Sequence, residues 1–240
     1  MSPGEVLEWF STTPDIPQTV WEHIRLAFVP VFAALFVALP AGLYIGHARR
    51  FELAVVTIAN LGRALPSFAI LALALPVSIQ LGLGLGFWPT FAALFLLALP
   101  PILVNTYIGV KGVDADVLEA ARGMGLGGSQ VLRSIELPLA APLIVAGVRT
   151  AAVQSVATAT LAALVAGGGL GGYIRLGFRA NQDDALMGGA ILVALLALAT
   201  ELGMGVIQKA AQPKTGSLRI PSVVEPLREP AQVGRPDGFA

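Results

Sequence analysis

Chemistry at a protein site needs titratable or nucleophilic side chains held close together, and this 240-residue chain offers few of them. It has 2 His and no Cys. His23 and His47 stand at opposite ends of one apolar stretch, and no His-Glu-x-x-His metal motif occurs. No Gly-x4-Gly-Lys-Ser/Thr run is present, so the chain does not cradle ATP phosphates itself. Gly123-x-Gly125-x-x-Gly128 and Gly167-x-Gly169-x-x-Gly172 both spell a dinucleotide fingerprint. Neither follows a strand pattern, and no acidic residue stands on a second strand downstream, so that reading fails. No Asp lies within an apolar span, which removes intramembrane aspartyl proteolysis, and neither a metal site nor a Ser–His pair is supported. The expectation is a non-enzyme with no cofactor of its own.

The polar residues that remain are arranged by helical period. Thr57, Asn60, Arg63 and Ser67 fall within one broad helix face. Thr150, Gln154 and Thr158 recur every fourth residue, with Ser155 beside them. Polar groups in hydrocarbon are costly and usually face a bundle interior or a water-filled path. Asn60, Arg63, Ser67, Gln154, Ser155 and Thr158 therefore read either as walls of a translocation path or as hydrogen-bonding glue between packed spans. Arg63, Arg149 and Glu201 are the charges that lie well inside spans, and Arg149 with Glu201 fits either a structural pair or a substrate contact.

The elements that must position these residues follow from composition. Charged residues make up 12% of the chain and hydrophobic residues 55%, with a mean hydropathy of +0.77. A soluble domain carries about 25% charged residues. From Ala64 to Val110, 47 residues pass without one Asp, Glu, Lys or Arg. As helix, at ~1.5 Å per residue, that run is about 70 Å long, against a hydrocarbon core of about 30 Å. It must cross, turn and cross back. The fold expected is an all-α, polytopic membrane bundle. Zero net charge and no basic patch exclude a nucleic-acid binder.

Five spans are expected, near residues 26–45, 53–81, 90–110, 139–165 and 185–208. The second carries Pro66 and Pro76, which should kink it, and it is long for one crossing, so a tilt or a break is expected. Residues 1–25 form an external segment, 26–208 the membrane domain and 209–240 a Pro-rich, disordered cytoplasmic tail. Acidic residues rather than basic ones precede the first span, so it does not read as a signal peptide. Ten Lys and Arg fall in the proposed inner segments and three in the outer ones, which puts the N-terminus outside and the C-terminus inside.

The largest internal polar segment is 111–138. Val113–Arg122 should be a short helix, Gly123–Gly128 a tight turn, and Ser129 the cap of a second short helix before Pro138. The plain alternative is an amphipathic connector lying on the membrane. Its residues read Glu119-Ala120-Ala121, three residues, Gly125, nine residues, Ile135-x-Leu137-Pro138. This pattern resembles the cytoplasmic coupling loop of binding-protein-dependent ABC importer permeases, with every fixed position filled. Asn60–Phe68, Asn105–Tyr107, Gly109–Asp114, Arg149–Gln154, Ala157–Ala162 and Gly167–Gly172 extend the resemblance over roughly residues 20–208. Together they are most similar to the osmoprotectant branch, which imports glycine betaine, choline, carnitine and related compounds. Methionine-type permeases are the nearest competitor, and a non-ABC channel is the rival class. Arg63 and the Pro-rich tail depart from the branch's pattern.

The resemblance implies a type I ABC importer permease fold with about five core spans in a bacterial inner membrane. It implies two cytoplasmic ATP-binding subunits, which would hold ATP and magnesium, a second permease copy or paralogue, and an external solute-binding protein. Glu119, Ala120, Ala121, Gly125, Ile135, Leu137 and Pro138 would form the segment docked on the ATPase.

Overall fold

The computed structural model describes residues 3–212, without the side chains of residues 3, 5–7 and 63. The tail expected from residue 209 lies outside the described residues beyond residue 212, and its first two residues complete the last helix. Among the described residues the secondary structure is entirely helical. Helix α1 (Pro3–Thr12) precedes the long α2 (Ile16–Ala48). Then come α3 (Glu52–Ala64), α4 (Ser67–Gln80), α5 (Phe87–Lys111), α6 (Ala115–Gly123) and α7 (Gly128–Val131). A π-helical turn, Leu132–Glu136, leads into α8 (Leu137–Thr158), which tightens into a 3₁₀ segment, Ala159–Val165. Helices α9 (Gly171–Ala180) and α10 (Asp183–Ala210) complete the chain.

Four of these elements are long and apolar enough to cross a membrane: α2, α5, the run from α7 through the 3₁₀ segment, and α10. The fifth expected span takes a different form. Residues 53–81, expected to be kinked and tilted or broken, are two helices, α3 and α4, that meet at a 93° bend. The cause is local. Leu65 is extended (φ −83°, ψ 118°) ahead of Pro66, as the residue before a proline tends to be, and Pro66 then starts α4. Pro76, by contrast, is carried inside α4. At ~1.5 Å per residue, neither the 13 residues of α3 nor the 14 of α4 would cross 30 Å alone.

The core is the seam between α2, α5 and α8. Ala34, Ala38, Ile102, Leu103 and Ala151 are buried there, and Leu26, Leu94, Leu97 and Val156 continue the seam toward the α9 end. Lipid tails are as apolar as leucine, so close packing rather than water expulsion must hold such helices together. Glycines permit the approach. A Cβ on Gly42 would fall 2.7 Å from Thr106 Cβ, and one on Gly147 would fall 2.6 Å from the Pro101 carbonyl oxygen. The outer surface is apolar instead of charged: Phe36 and Leu53 are each 82% exposed. This inversion is what a bilayer solvent requires.

Two ends of the bundle are distinct. At one, α1 packs on α9 and α10 through Trp9, Tyr173 and Ala185, an arrangement that the outline of loops did not foresee. The expected outer loop 167–184 is largely the helix α9, and the N-terminal segment is itself helical. At the other end, α7 and the π-turn lie against the last turn of α2, and α6 packs on them.

Candidate functional site

The segment 111–138 has a small core of its own. Val113, Leu118, Ala121 and Val131 are buried together, with Leu126 and Ile135 packed on them. Asp114 caps α6 by accepting a hydrogen bond from the Asp116 N–H (2.8 Å). The first helix starts two residues later than expected, at Ala115. The second is not capped by Ser129. Gly127 is its first residue outside the helix, and Gln130 Oε1 accepts from the Gly127 N–H at 2.9 Å. Gly125 adopts φ +86°, a conformation that side chains resist, and a Cβ there would have nothing within 4 Å.

The residues singled out in this segment divide between two faces. Ala121 and Ile135 hold the segment together from inside. Glu119, Ala120 and Gly125 are exposed, as is Met124 at the tip (74%). Leu137 packs against Val110, Ala140 and Ile144, and Pro138 lies just past the π-turn, at the start of α8. The result is a preassembled knob whose exposed tip carries the small Ala120 and Gly125 beside Glu119 and Met124.

One polar contact here was not read from the sequence. His47 Nδ1 lies 2.5 Å from Glu136 Oε2, and the Glu136 side chain is only 3% exposed. The two residues are 89 positions apart, and nothing local to either marks the partner. The only signal was a carboxylate placed at the head of an apolar helix.

Part of the in-span polar set faces a cleft of about 480 Å³ between α3, α4, α5 and α8. Ser67, Thr150 and Gln154 line it, joined by Asn105, Ala59 and Gly62. Asn105 was part of a quoted motif but had not been assigned to the path. Thr158 borders a smaller neighbouring hollow that also contains Ser67. Ser155 is buried in the helix seam (2% exposed) and Asn60 is exposed, so neither lines the cleft. The Arg63 side chain lies outside the described residues. Across α8 from this cleft, Arg149 donates to Glu201 and, at 2.8 Å, to Gln208 Oε1 on α10. This second groove shares Thr150 and Gln154 with the first. Among the described residues no cluster of three or more His, Asp or Glu could hold a metal ion.

Residues 31–217 match the family model described as "Binding-protein-dependent transport system inner membrane component". The glycine betaine/carnitine/choline transport system permease protein OpuCB of Bacillus subtilis is 38% identical over 193 residues, covering 80% of this chain and 87% of that protein. The carnitine transport permease protein OpuCB of Listeria monocytogenes is 38% identical over 81% of this chain and 87% of that protein. The osmoprotectant import permease protein OsmY of Salmonella typhimurium is 40% identical over 73% of each. Among solved structures, the inward-facing MetNI methionine ABC transporter contains a chain that superposes with a TM-score of 0.72 at 22% identity. That match covers 89% of this chain and all of the other, and at that identity it speaks for the fold.

Proposed function

The chain belongs to the family of binding-protein-dependent transport system inner membrane components, and from that premise we propose that it imports osmoprotectants of the glycine betaine, carnitine and choline class. It is the membrane permease subunit of an ATP-driven importer and is not itself the ATPase. The observation that carries the substrate class is identity of 38% across four-fifths of the chain to a glycine betaine/carnitine/choline permease.

The assembly in this reading has two permease chains, two ATPase subunits and an external binding protein. The knob formed by 111–138 is the docking element. Its exposed tip of Glu119, Ala120 and Gly125 leaves room for a partner surface, and its internal core lets it move as a unit. The cleft lined by Ser67, Asn105, Thr150 and Gln154 is this chain's share of the path. Quaternary ammonium groups are typically held by aromatic faces, and among the described residues no aromatic one lines the cleft. Recognition therefore lies mainly with the binding protein, and the cleft supplies weak polar contacts suited to release. The cation asymmetry orients the knob toward the cytoplasm and α1 and α9 outward.

The test is uptake by proteoliposomes holding the permease, its ATPase and its binding protein. ATP-dependent accumulation of labelled glycine betaine, choline or carnitine is expected. Accumulation of methionine with none of the three would overturn the substrate class. Gly125→Trp should assemble normally yet lose binding-protein-stimulated ATP hydrolysis. In a chain free of native cysteine, Gln182→Cys should react with an impermeant reagent from outside and Ser129→Cys should not.

A further inference from the structure

The short connection between α2 and α3 lies between a histidine–carboxylate hydrogen bond and an ion pair. On its α2 side, His47 in the last turn is bonded to Glu136, the last residue of the π-turn, at 2.5 Å. On its α3 side, Glu52, the first residue of the helix, pairs with Lys111, the last residue of α5. Residue 111 opens the knob segment and residue 136 stands two residues before its end. The connection is thus fastened to both ends of the element assigned above to the ATPase.

The connection itself has little slack. Only Arg49, Arg50 and Phe51 join Ala48 to Glu52, and Arg49 (φ 51°) and Phe51 (φ 62°) are both left-handed. His47 also sits against the knob's second helix, since a Cβ on Gly128 would lie 3.4 Å from His47 Nε2. Beyond the connection, α3 contributes Ala59 and Gly62 to the cleft.

The walls of the cleft differ in how they reach the knob. Helices α5 and α8 run into it through the peptide chain itself, at Lys111 and at the π-turn. Helix α3 has no such continuity. We infer that His47–Glu136 and Glu52–Lys111 are clasps that carry the α2–α3 connection along with the knob, so that α3 follows α5 and α8 when the ATPase moves it. His47 and Glu136 are positioning residues in this reading. They touch neither solute nor nucleotide.

The clasps are not equal. The Glu136 side chain is 3% exposed and that of His47 is 29% exposed. Removing one partner of a buried pair leaves the other uncompensated, which is costly. The Glu52 and Lys111 side chains are 60% and 38% exposed, and exposed pairs contribute little. Lys111 is further held over the Tyr107 ring at 5.4 Å from its centroid. The buried clasp should dominate and the exposed one assist.

The inference rests on the transport reading, so the experiment separates the two. In proteoliposomes with ATPase and binding protein, the parent permease must show stimulated ATP hydrolysis, and its failure to do so overturns the transport reading itself. Given stimulation, His47→Ala and Glu136→Ala should lower solute taken up per ATP hydrolysed by about ten-fold, within the usual range of coupling between sites. Subunit co-purification and the KM for solute should stay at parent values. The double variant should be no worse than either single one, because the two residues act as one unit. Glu52→Lys and Lys111→Glu should each lower the ratio by about two-fold. The two together, which restore an opposite pair, should recover it. Parent-level uptake per ATP in both His47→Ala and Glu136→Ala overturns the clasp. Should those two variants fail to assemble, the exposed pair decides, and failure of the charge swap to restore the ratio overturns the inference.

Discussion

Two stretches of this chain are spelled alike and do opposite things. Gly123–Gly128 and Gly167–Gly172 both read Gly-x-Gly-x-x-Gly, and a histidine lies near each, at opposite ends of α2. Around Gly125 the added atom of a side chain would meet nothing within 4 Å. Around Gly169 (φ +70°) it would fall 3.0 Å from His23 Nδ1. His47 is partly exposed and bonded to a carboxylate, whereas His23 is completely buried between backbone groups. Its Nε2 lies 2.9 Å from the Val156 carbonyl oxygen, and its Nδ1 accepts from the Leu170 N–H at 3.2 Å. That pattern fixes the neutral ring with the proton on Nε2. The second stretch is therefore an internal lock joining α2, α8 and the entry to α9. The first is a turn held open toward whatever lies outside the chain. Glycine in one place makes room for the protein's own atoms, and in the other leaves open space at the surface.

The strongest way to break this comparison is at the lock. His23→Leu removes the acceptor for a buried N–H and the donor to a buried carbonyl, each worth about 1–3 kcal/mol when left unpaired. We expect a loss of about 2–4 kcal/mol in stability, read as early thermal unfolding of the detergent-purified permease. His47→Leu should lower stability less, since its side chain is 29% exposed, and should show its effect in coupling instead. Equal stability losses for the two would erase the distinction. Next in size is Gly169→Val. A β-branched residue at φ +70° is strained, and its side chain would press on the His23 ring. About 1–3 kcal/mol is expected for such a backbone, measured by the same unfolding assay. Parent-like stability would mean that the stretch is not packed as a lock.

Much of this architecture was legible because membrane solvent writes a strong signal. A charge-free run of 47 residues admits few outcomes, and four of the five expected spans correspond to long apolar helices. The remaining one was expected to kink or break, but the size of the turn was not legible, because periodicity and hydropathy count residues without recording direction. Leu65 and Pro66 turn the chain by 93° at no cost in apolarity, so the composition of 53–81 is the same for a crossing and for a bent pair. Helices α1 and α9 were missed for a related reason. They are short and lie outside the spans, and they pack on each other, on α10 and on the start of α2. In the candidate sites, helical period brought Thr150 and Gln154 to one cleft, while Ser155, adjacent in sequence, points into the seam. The pairing of His47 with Glu136 was invisible because only tertiary structure joins positions so far apart.

The open turn should yield smaller stability effects with larger functional ones. Gly125→Ala places a Cβ at φ +86° on an exposed turn whose neighbours can adjust. A cost of about 1 kcal/mol is expected for leaving a glycine-type conformation. Solute-stimulated ATP hydrolysis should fall further than that stability loss explains. If hydrolysis and stability both match the parent, the turn does not present its backbone to a partner.

The smallest effect should come from Gly123, and it sharpens the contrast most. Gly123 is the last residue of α6, is not among the positive-φ glycines, and has nothing within 4 Å of an added Cβ. Within the single chain, alanine there is a better helix former than glycine, by up to about 1 kcal/mol in a helix interior and less at an end. Gly123→Ala should therefore be neutral or stabilising by a few tenths of a kcal/mol in the isolated permease. The comparison is with the assembled importer. If the knob seats in the ATPase with its backbone close to the partner at this corner, the same methyl group lowers ATPase co-purification or stimulated hydrolysis while leaving permease stability unchanged. If hydrolysis is also unchanged, the close approach is confined to Gly125 and the tip around Met124, and the docking surface shrinks to that turn. Either result is informative because the chain's own atoms place no constraint on this position, so any functional cost must arise from outside the chain.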